Sequence, residues 1–409
     1  MKQVKPMHTG WYVCSDAIAS FISWTIVAWI RKKMMGENDY PIQSLFTTDY
    51  FFNTSLGLVL IFWLALYAVA GVYNTSFYKK SRLTELTHTF IQTLIGCLLM
   101  LFALFLNDFE EHYSYYYKIF LLMLGIQFLL VCFGRVLLIT IARNQIAKGN
   151  YLYHSLLIGS NGKLSNAYQQ MQRFYSSLGY KPIGYIIPKN NAKQQALKGI
   201  PYLGNEDILE QIILKKNIHQ VVIALNKAEE QLTEQIISRL SEWDVEIKIV
   251  PDTFEILSGS VRVKDLPGAV FIDIDTGLMA PWQQNIKRLL DIFLSLTALI
   301  ILSPFLVFIF IRTKFSSPGR IIYIQERVGY KGNPFFIYKF RSMIENAEAD
   351  GPMLSKENDI RITNWGRIMR KWRLDELPQL LNILKGEMSF IGPRPERPFY
   401  IAQLNERTP

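Results

Sequence analysis

Four long apolar stretches occupy the first third of the chain, at residues 11–30, 56–72, 90–106 and 119–142. Each approaches the ~20 residues that a helix needs to cross the hydrocarbon of a bilayer. From about Ser155 the pattern changes. Short apolar runs at 155–158, 182–187, 219–225 and 245–250 alternate with helical segments at 164–178, 206–216 and 228–243, the first closed by Gly179. Alternation of this kind builds a parallel sheet with helices on both faces. A fifth apolar run, 289–311, opens the last third, with Lys287 and Arg288 before it and Arg312 and Lys314 after it. Pro304 removes a backbone donor there and collides with the carbonyl of Ile300, which predicts a kink after Ser303. A broken helix with both ends basic suggests a hairpin that enters and leaves one leaflet. On hydropathy alone, a tilted span with a tolerated proline is the commoner arrangement.

Composition strengthens the membrane reading. Of the 409 residues, 50% are hydrophobic and 13% aromatic, rich for a soluble enzyme. The net charge of +10 fits a protein lying against anionic lipid and handling phosphates. Nucleic acid is excluded as a partner, because no zinc-ligand pattern or aromatic–basic RNA signature accompanies the charge. Cys14, Cys97 and Cys132 lie in or beside apolar runs and read as small buried hydrophobes. Lys79, Lys80, Arg82, Arg143 and Lys148 place the second loop and everything after the fourth span in the cytoplasm, and the acidic third loop (Asp108, Glu110, Glu111) outside. Arg31, Lys32 and Lys33 disagree, since this orientation leaves them outside.

The candidate chemistry lies after the fifth apolar run. Residues 325–343, QERVGYKGNPFFIYKFRSM, offer Arg327, Lys331, Lys339 and Arg341 around two glycines, with a short strand at 336–340. Residues 361–373 hold five basic residues and no acid, and Arg367, Arg370 and Lys371 share a broad helical face. Next comes LDELPQLLNILKGEMSFIGPRPERP. Pro378 suits a first helical turn and Lys385-Gly386 a helix stop, so Asp375 and Glu376 stand at a helix N-terminus. The dipole there favours an ionised carboxylate, as a nucleophilic Asp requires, and leaves Glu376 free to hold a divalent cation on a diphosphate. Acids in a first helical turn are commonly mere dipole partners, and arginine runs are commonly solvated surface. The combination and its order favour a site.

Three motifs in sequence, KRLLDIFLS…ILSPF, the 325–343 segment and RKWRLDELPQLLNILKGEMSFIGPRP, resemble the bacterial polyprenyl-phosphate glycosyl-1-phosphate transferases of the monotopic superfamily. The likeness is close over about 287–398. It implies an α/β membrane protein made of a four-helix transmembrane bundle (1–148), a Rossmann-like parallel α/β domain (149–265), a linker (266–284) and an α/β catalytic domain (285–409). The last would carry a re-entrant membrane helix at about 287–312, marked by Lys287, Arg288, Asp291, Ser303 and Pro304. The implied reaction takes a UDP-sugar, with UDP-glucose or UDP-galactose expected, and undecaprenyl phosphate to undecaprenyl-diphosphate-sugar and UMP. Mg²⁺ is the implied cofactor. By position, Asp375 matches the nucleophile that forms a phospho-sugar intermediate, and Glu376 the metal-associated acid. Lys339, Arg341, Arg373, Arg394 and Arg327 fall in motifs around the site. The resemblance further implies the bacterial inner membrane and the initiation of exopolysaccharide, capsule or O-antigen. Oligomeric state is left open by the sequence, with a homodimer through the upstream domains as the expectation. Relatives continue past this point, so a C-terminal truncation is expected.

Two rivals remain. A membrane-anchored sugar-nucleotide dehydratase or epimerase needs a glycine fingerprint and a Tyr-x-x-x-Lys pair. The turn instead reads Gly159-Ser-Asn-Gly162, the second strand ends in Ile187-Pro188-Lys189 rather than an acid, and Tyr168 and Tyr180 lack the lysine. A non-catalytic scaffold for glycan export would keep the architecture without turnover.

Overall fold

The computed structural model describes residues 7–407 apart from 38, 77, 106–112, 174, 176–178, 190–196, 198, 242, 252–270, 275–278, 346 and 348–358. The acidic third loop, residues 266–270 and 275–278 of the expected linker and the end of the expected helix 164–178 lie outside the described residues. Two compact units form, Met1–Trp282 and Gln283–Pro409.

In the first unit, four helices are long and apolar enough to cross a membrane: α1 (Gly10–Met34), α3 (Tyr50–Val69), α4 (Arg82–Met100) and α5 (Tyr113–Ala147), with a short α2 (Ile42–Thr47) between the first two. Helix α3 starts six residues before its apolar stretch because the Asp49 side chain accepts from the Phe52 N–H at 2.8 Å. Helix α1 runs on through Arg31, Lys32 and Lys33, which are engaged locally. The Arg31 guanidinium stacks on Phe51, Lys32 pairs with Asp49 at 3.1 Å, and the Lys33 ammonium lies over Trp29. Cys97 is buried as expected, but Cys14 is exposed on α1.

Charges inside the bundle were not anticipated. Arg135 on α5 is fully buried, donates to both oxygens of Asp16 (3.1 and 2.9 Å) and reaches Glu85 at 3.2 Å. Lys80 pairs with the other Glu85 oxygen at 3.2 Å, and the Tyr12 and Tyr73 hydroxyls donate to Glu85 and Asp16. Two cations and two carboxylates thus neutralise one another where an unpaired charge is costly.

A six-stranded sheet of order β3-β2-β1-β4-β5-β6 follows. Its strands are β1 (Tyr153–Gly159), β2 (Tyr180–Ile186), β3 (Tyr202–Gly204), β4 (Gln220–Ala224), β5 (Glu246–Ile249) and β6 (Ile272–Ile274). All neighbours are parallel except β5 and β6, so the sheet is mixed where a parallel one was expected. Strands β3 and β6, three residues each, are too short to show an apolar period. Helices α6 (Asn161–Arg173), α7 (Leu209–Lys216) and α8 (Glu230–Ser241) cover it. One core cluster continues from Ile139 and Ile146 of the bundle into Tyr153 and Leu157 of the sheet.

The second unit begins within a broken helix pair, α9 (Pro281–Ile301) and α10 (Ser303–Ser316), bent by 66°. The break falls at Leu302, two residues before the proline, so Pro304 sits in the first turn of α10, where no donor is needed. The Ser303 hydroxyl donates to the Ile300 carbonyl at 2.8 Å, satisfying the acceptor that Pro304 leaves open. Strands β7 (Ile322–Val328) and β8 (Pro334–Phe340) form an antiparallel ribbon. Helices α11 (Asn364–Lys371), α12 (Gln379–Lys385) and α13 (Pro398–Arg407) complete the unit.

Candidate active site

Helix α11 is capped by the Thr363 side chain, which accepts from the Gly366 N–H at 2.9 Å. A Cβ on Gly366 would lie 1.9 Å from the Ser342 carbonyl oxygen, so only glycine lets this helix abut the segment leaving β8. The chain then reverses at Arg373, whose φ of 56° is left-handed, and enters a single 3₁₀ turn, Leu374–Glu376. Asp375 and Glu376 therefore precede α12 instead of opening it. Gly386, at φ 89°, stops α12 as expected.

Two interactions hold this turn against the ribbon. The fully buried Asn382 side chain behaves like a strand backbone: its Oδ1 accepts from the Tyr338 N–H at 3.0 Å and its Nδ2 donates to the Phe336 carbonyl at 2.7 Å. With α12 so registered on β8, Lys339 Nζ reaches Glu376 Oε1 at 2.9 Å. At the far end of α12, Arg288 donates to the Ile383 and Leu384 carbonyls, capping the helix from α9.

Asp375 is buried, and its Oδ1 has no hydrogen-bond partner. It lines a cleft of about 770 Å³ together with Arg327, Lys339, Arg341, Arg370 and Arg394. Burial pushes its carboxyl above the ordinary value against the pull of Lys339, and the neighbouring Glu376 charge adds to the rise. Burial acts on Glu376 in the same direction. There the hydrogen bond and charge of Lys339, with Arg373, win and hold it below its ordinary value. Arg373 meets Glu376 Oε2 at 3.3 Å, and Arg394 lies 3.9 Å from Oε1.

The residues singled out from the sequence separate into three groups. Asp375, Glu376, Lys339, Arg373, Arg394 and Arg327 converge. Arg327 donates to the Pro395 carbonyl (3.0 Å) and to Gln325 (2.8 Å), which fixes the Gly-Pro-Arg-Pro turn against β7. Arg341 also lines the cleft, but it spends two donors on the Arg320 and Ser317 carbonyls as a brace. Lys287, Arg288 and Asp291 grip residues 383–390. Asp291 accepts from the Phe390 N–H at 3.3 Å, and Lys287 bonds Asp291 and Ser389. Ser303 and Pro304 shape the bend and line no part of the cleft. Sequence reasoning missed Asn382, Arg320, Arg397 and Tyr400. Arg397 stands three residues after Arg394, a visible signal; Asn382 inside an apolar helix gave none.

Among the described residues, no group of three or more His, Cys, Asp or Glu is arranged to hold a metal. Mg²⁺, however, commonly takes one or two carboxylates plus substrate phosphate oxygens. The unpartnered Asp375 Oδ1 beside Glu376 fits that smaller donor set. Glu376 alone does not, since cations already meet both its oxygens.

Comparison with known proteins gives the family. The profile of the bacterial sugar transferase family matches residues 282–409. A proposed undecaprenyl-phosphate N-acetylgalactosaminyl 1-phosphate transferase of Bacillus subtilis (strain 168) is 46% identical over 124 residues, 30% of this chain and 69% of that protein. The chain belongs to the bacterial sugar transferase family. A UDP-glucose:undecaprenyl-phosphate glucose-1-phosphate transferase of Klebsiella pneumoniae is 29% identical over 86% of this chain and 75% of its own length. The UDP-N-acetylgalactosamine-undecaprenyl-phosphate N-acetylgalactosaminephosphotransferase of Aeromonas hydrophila is 35% identical over 43% of this chain. The chain spans about half the length of this and other curated relatives, at 41%, 46% and 53%.

A second profile, described as a CoA-binding domain, matches residues 67–251. Doubly wound sheets bind phosphates where the strand order reverses, here between the carboxyl ends of β1 and β4. There the Glu229 carboxylate is held by residues that follow β1 and β4. It accepts from the Ser160 hydroxyl at 2.6 Å and the Asn226 N–H at 2.9 Å, donors that a phosphate would need.

Proposed function

We propose that the protein transfers a sugar 1-phosphate from a UDP-sugar to undecaprenyl phosphate, releasing UMP, with Asp375 as nucleophile. The observation that carries this reading is the division within the dyad. Glu376 is tied down by Lys339 and Arg373, while Asp375 keeps a buried, unpartnered oxygen on a cleft ringed by cations. A carboxylate oxygen of Asp375 attacks the phosphorus bearing the sugar. The bond to the UMP oxygen breaks, and UMP leaves with that electron pair. A phosphate oxygen of the lipid then attacks the same phosphorus and frees the carboxylate. Lys339, Arg327 and Arg394 offset the charge on the equatorial oxygens, and Glu376 holds Lys339 in place. Mg²⁺, held by the dyad and diphosphate oxygens, would add charge neutralisation on the donor.

Both half-helices α9 and α10 expose apolar side chains, among them Leu290, Phe293, Ile300, Phe305 and Phe308. With the 66° bend and both ends basic, this supports a re-entrant hairpin that brings the site to the membrane face. Arg31–Lys33 still oppose the cytoplasmic orientation, but less than their number suggests. Their charge is engaged with Asp49, Phe51 and Trp29, which lessens their weight as a topology signal.

Glucose-1-phosphate transferases among the relatives support UDP-glucose, and the N-acetylgalactosamine relatives require UDP-GalNAc in any donor panel. The test is UMP release by detergent-solubilised protein with undecaprenyl phosphate and that panel. UMP release that continues past a single turnover only when lipid is present is expected with at least one donor. Absence of UMP with every donor contradicts the reading.

A further inference from the structure

Two clefts open on the basic cluster. The larger is lined by Asp375 and by Tyr323, Gln325, Arg397 and Tyr400. The smaller, about 400 Å³, is lined by Glu376 and by Leu377, Leu380, Ile383, Phe390 and Gly392. Arg327, Lys339 and Arg394 line both. The dyad thus straddles a ridge of three cations, with one carboxylate on each side.

The clefts differ in what adjoins them. The larger one sets Tyr323, Gln325 and Tyr400 beside Ile322, Ile324 and Ile344. The smaller one sets Leu377, Leu380 and Ile383 beside Gln379 and Ser389. Its wall at 388–390 is the segment that α9 grips through Lys287–Ser389 and Asp291–Phe390. That same helix exposes Leu290, Phe293 and Leu294 beyond the grip. A phosphate head with an isoprenoid tail following this apolar helix reaches the smaller cleft first.

We propose that the smaller cleft is the acceptor site. It takes the phosphate and first isoprene units of a polyprenyl phosphate, the larger cleft takes the sugar nucleotide, and Arg327, Lys339 and Arg394 serve both phosphates in turn. This rests on the transferase reading above. It explains why the two carboxylates face different spaces: Asp375 meets the donor, and Glu376 sets the shared lysine from the acceptor side.

Gly392 offers the test. It lines only the smaller cleft, its φ is not left-handed, and an added Cβ there meets nothing within 4 Å. Gly392→Phe should fill the acceptor cleft. Exchange of labelled UMP into UDP-sugar reads the donor half-reaction, and single-turnover sugar transfer to polyprenyl phosphate reads the other. The variant is expected to lower lipid transfer at least tenfold more than exchange, and Tyr400→Ala the reverse. Equal losses in both half-reactions, or lipid transfer unchanged by Gly392→Phe, would overturn the assignment. Absence of UMP exchange in the unmodified protein would count against the covalent step of the transferase reading instead. The cleft is then judged by photo-crosslinking a benzophenone-bearing polyprenyl phosphate. Labelling within 377–393 supports it, and labelling around Tyr323 and Tyr400 refutes it.

Discussion

At Asp375, burial and function pull in opposite directions. A nucleophile must be ionised, yet burial raises this carboxyl above its ordinary value, and the Lys339 charge is the largest counterweight. Activity should therefore fall as pH drops through the raised Asp375 value. Lys339→Met should move that acidic limb to higher pH as well as lowering kcat, as a pH–rate profile will show; an unmoved limb would separate Lys339 from Asp375. Stability follows the same shifts. A carboxyl whose folded pKa is raised destabilises the fold once ionised, at pH above that value. Asp375→Asn should accordingly abolish transfer to lipid while raising the thermal midpoint at neutral pH. Substantial turnover in that variant would remove Asp375 from its role. Glu376 has the opposite sign. Its depressed value contributes stability that is present above the unfolded pKa and lost as pH falls through the folded one.

At the scale of elements, the site depends on the register between β8 and α12. Asn382→Ala leaves the Tyr338 N–H and Phe336 carbonyl unpaired, at a cost of ~1–3 kcal/mol. Thermal unfolding should show that loss, and kcat should fall more than KM as Lys339 leaves Glu376. An unchanged kcat would make Asn382 a packing residue only. The same elements show what the sequence could and could not reveal. The apolar spans, the break near Pro304 and the stop at Gly386 were legible because each follows from local chemistry: hydropathy, a missing donor, a left-handed glycine. The sequence reading set Asp375 and Glu376 in the first turn of α12, whereas they lie in a 3₁₀ turn ahead of it. That turn depends on Arg373 adopting a left-handed φ, which no neighbouring residue signals. Asn382, the Arg288 cap and the brace role of Arg341 were illegible for another reason. Each acts on backbone groups distant in sequence, at separations of 44, 95 and 21 residues.

For the whole molecule, the membrane bundle and the sheet make separate predictions. Arg135→Met removes the cation that meets Asp16 inside the bundle and leaves Glu85 to Lys80. Breaking a buried pair from one side typically costs ~3–5 kcal/mol, so the variant should unfold in detergent well below the wild-type midpoint. An unchanged midpoint would mean that water reaches the cluster. The sheet, with Glu229 in its crevice, should bind neither CoA nor NAD in calorimetric titration of the full chain at millimolar ligand. Saturable binding lost on mutation of Ser160 would contradict that reading. The central claim, a covalent step on Asp375, is tested most directly by mass spectrometry. The protein is incubated with UDP-sugar in the absence of lipid, rapidly quenched and digested. The account predicts stoichiometric UMP and a sugar-phosphate adduct on Asp375 that disappears when polyprenyl phosphate is added. UMP that forms only when lipid is present, with no adduct on any carboxylate, would contradict it.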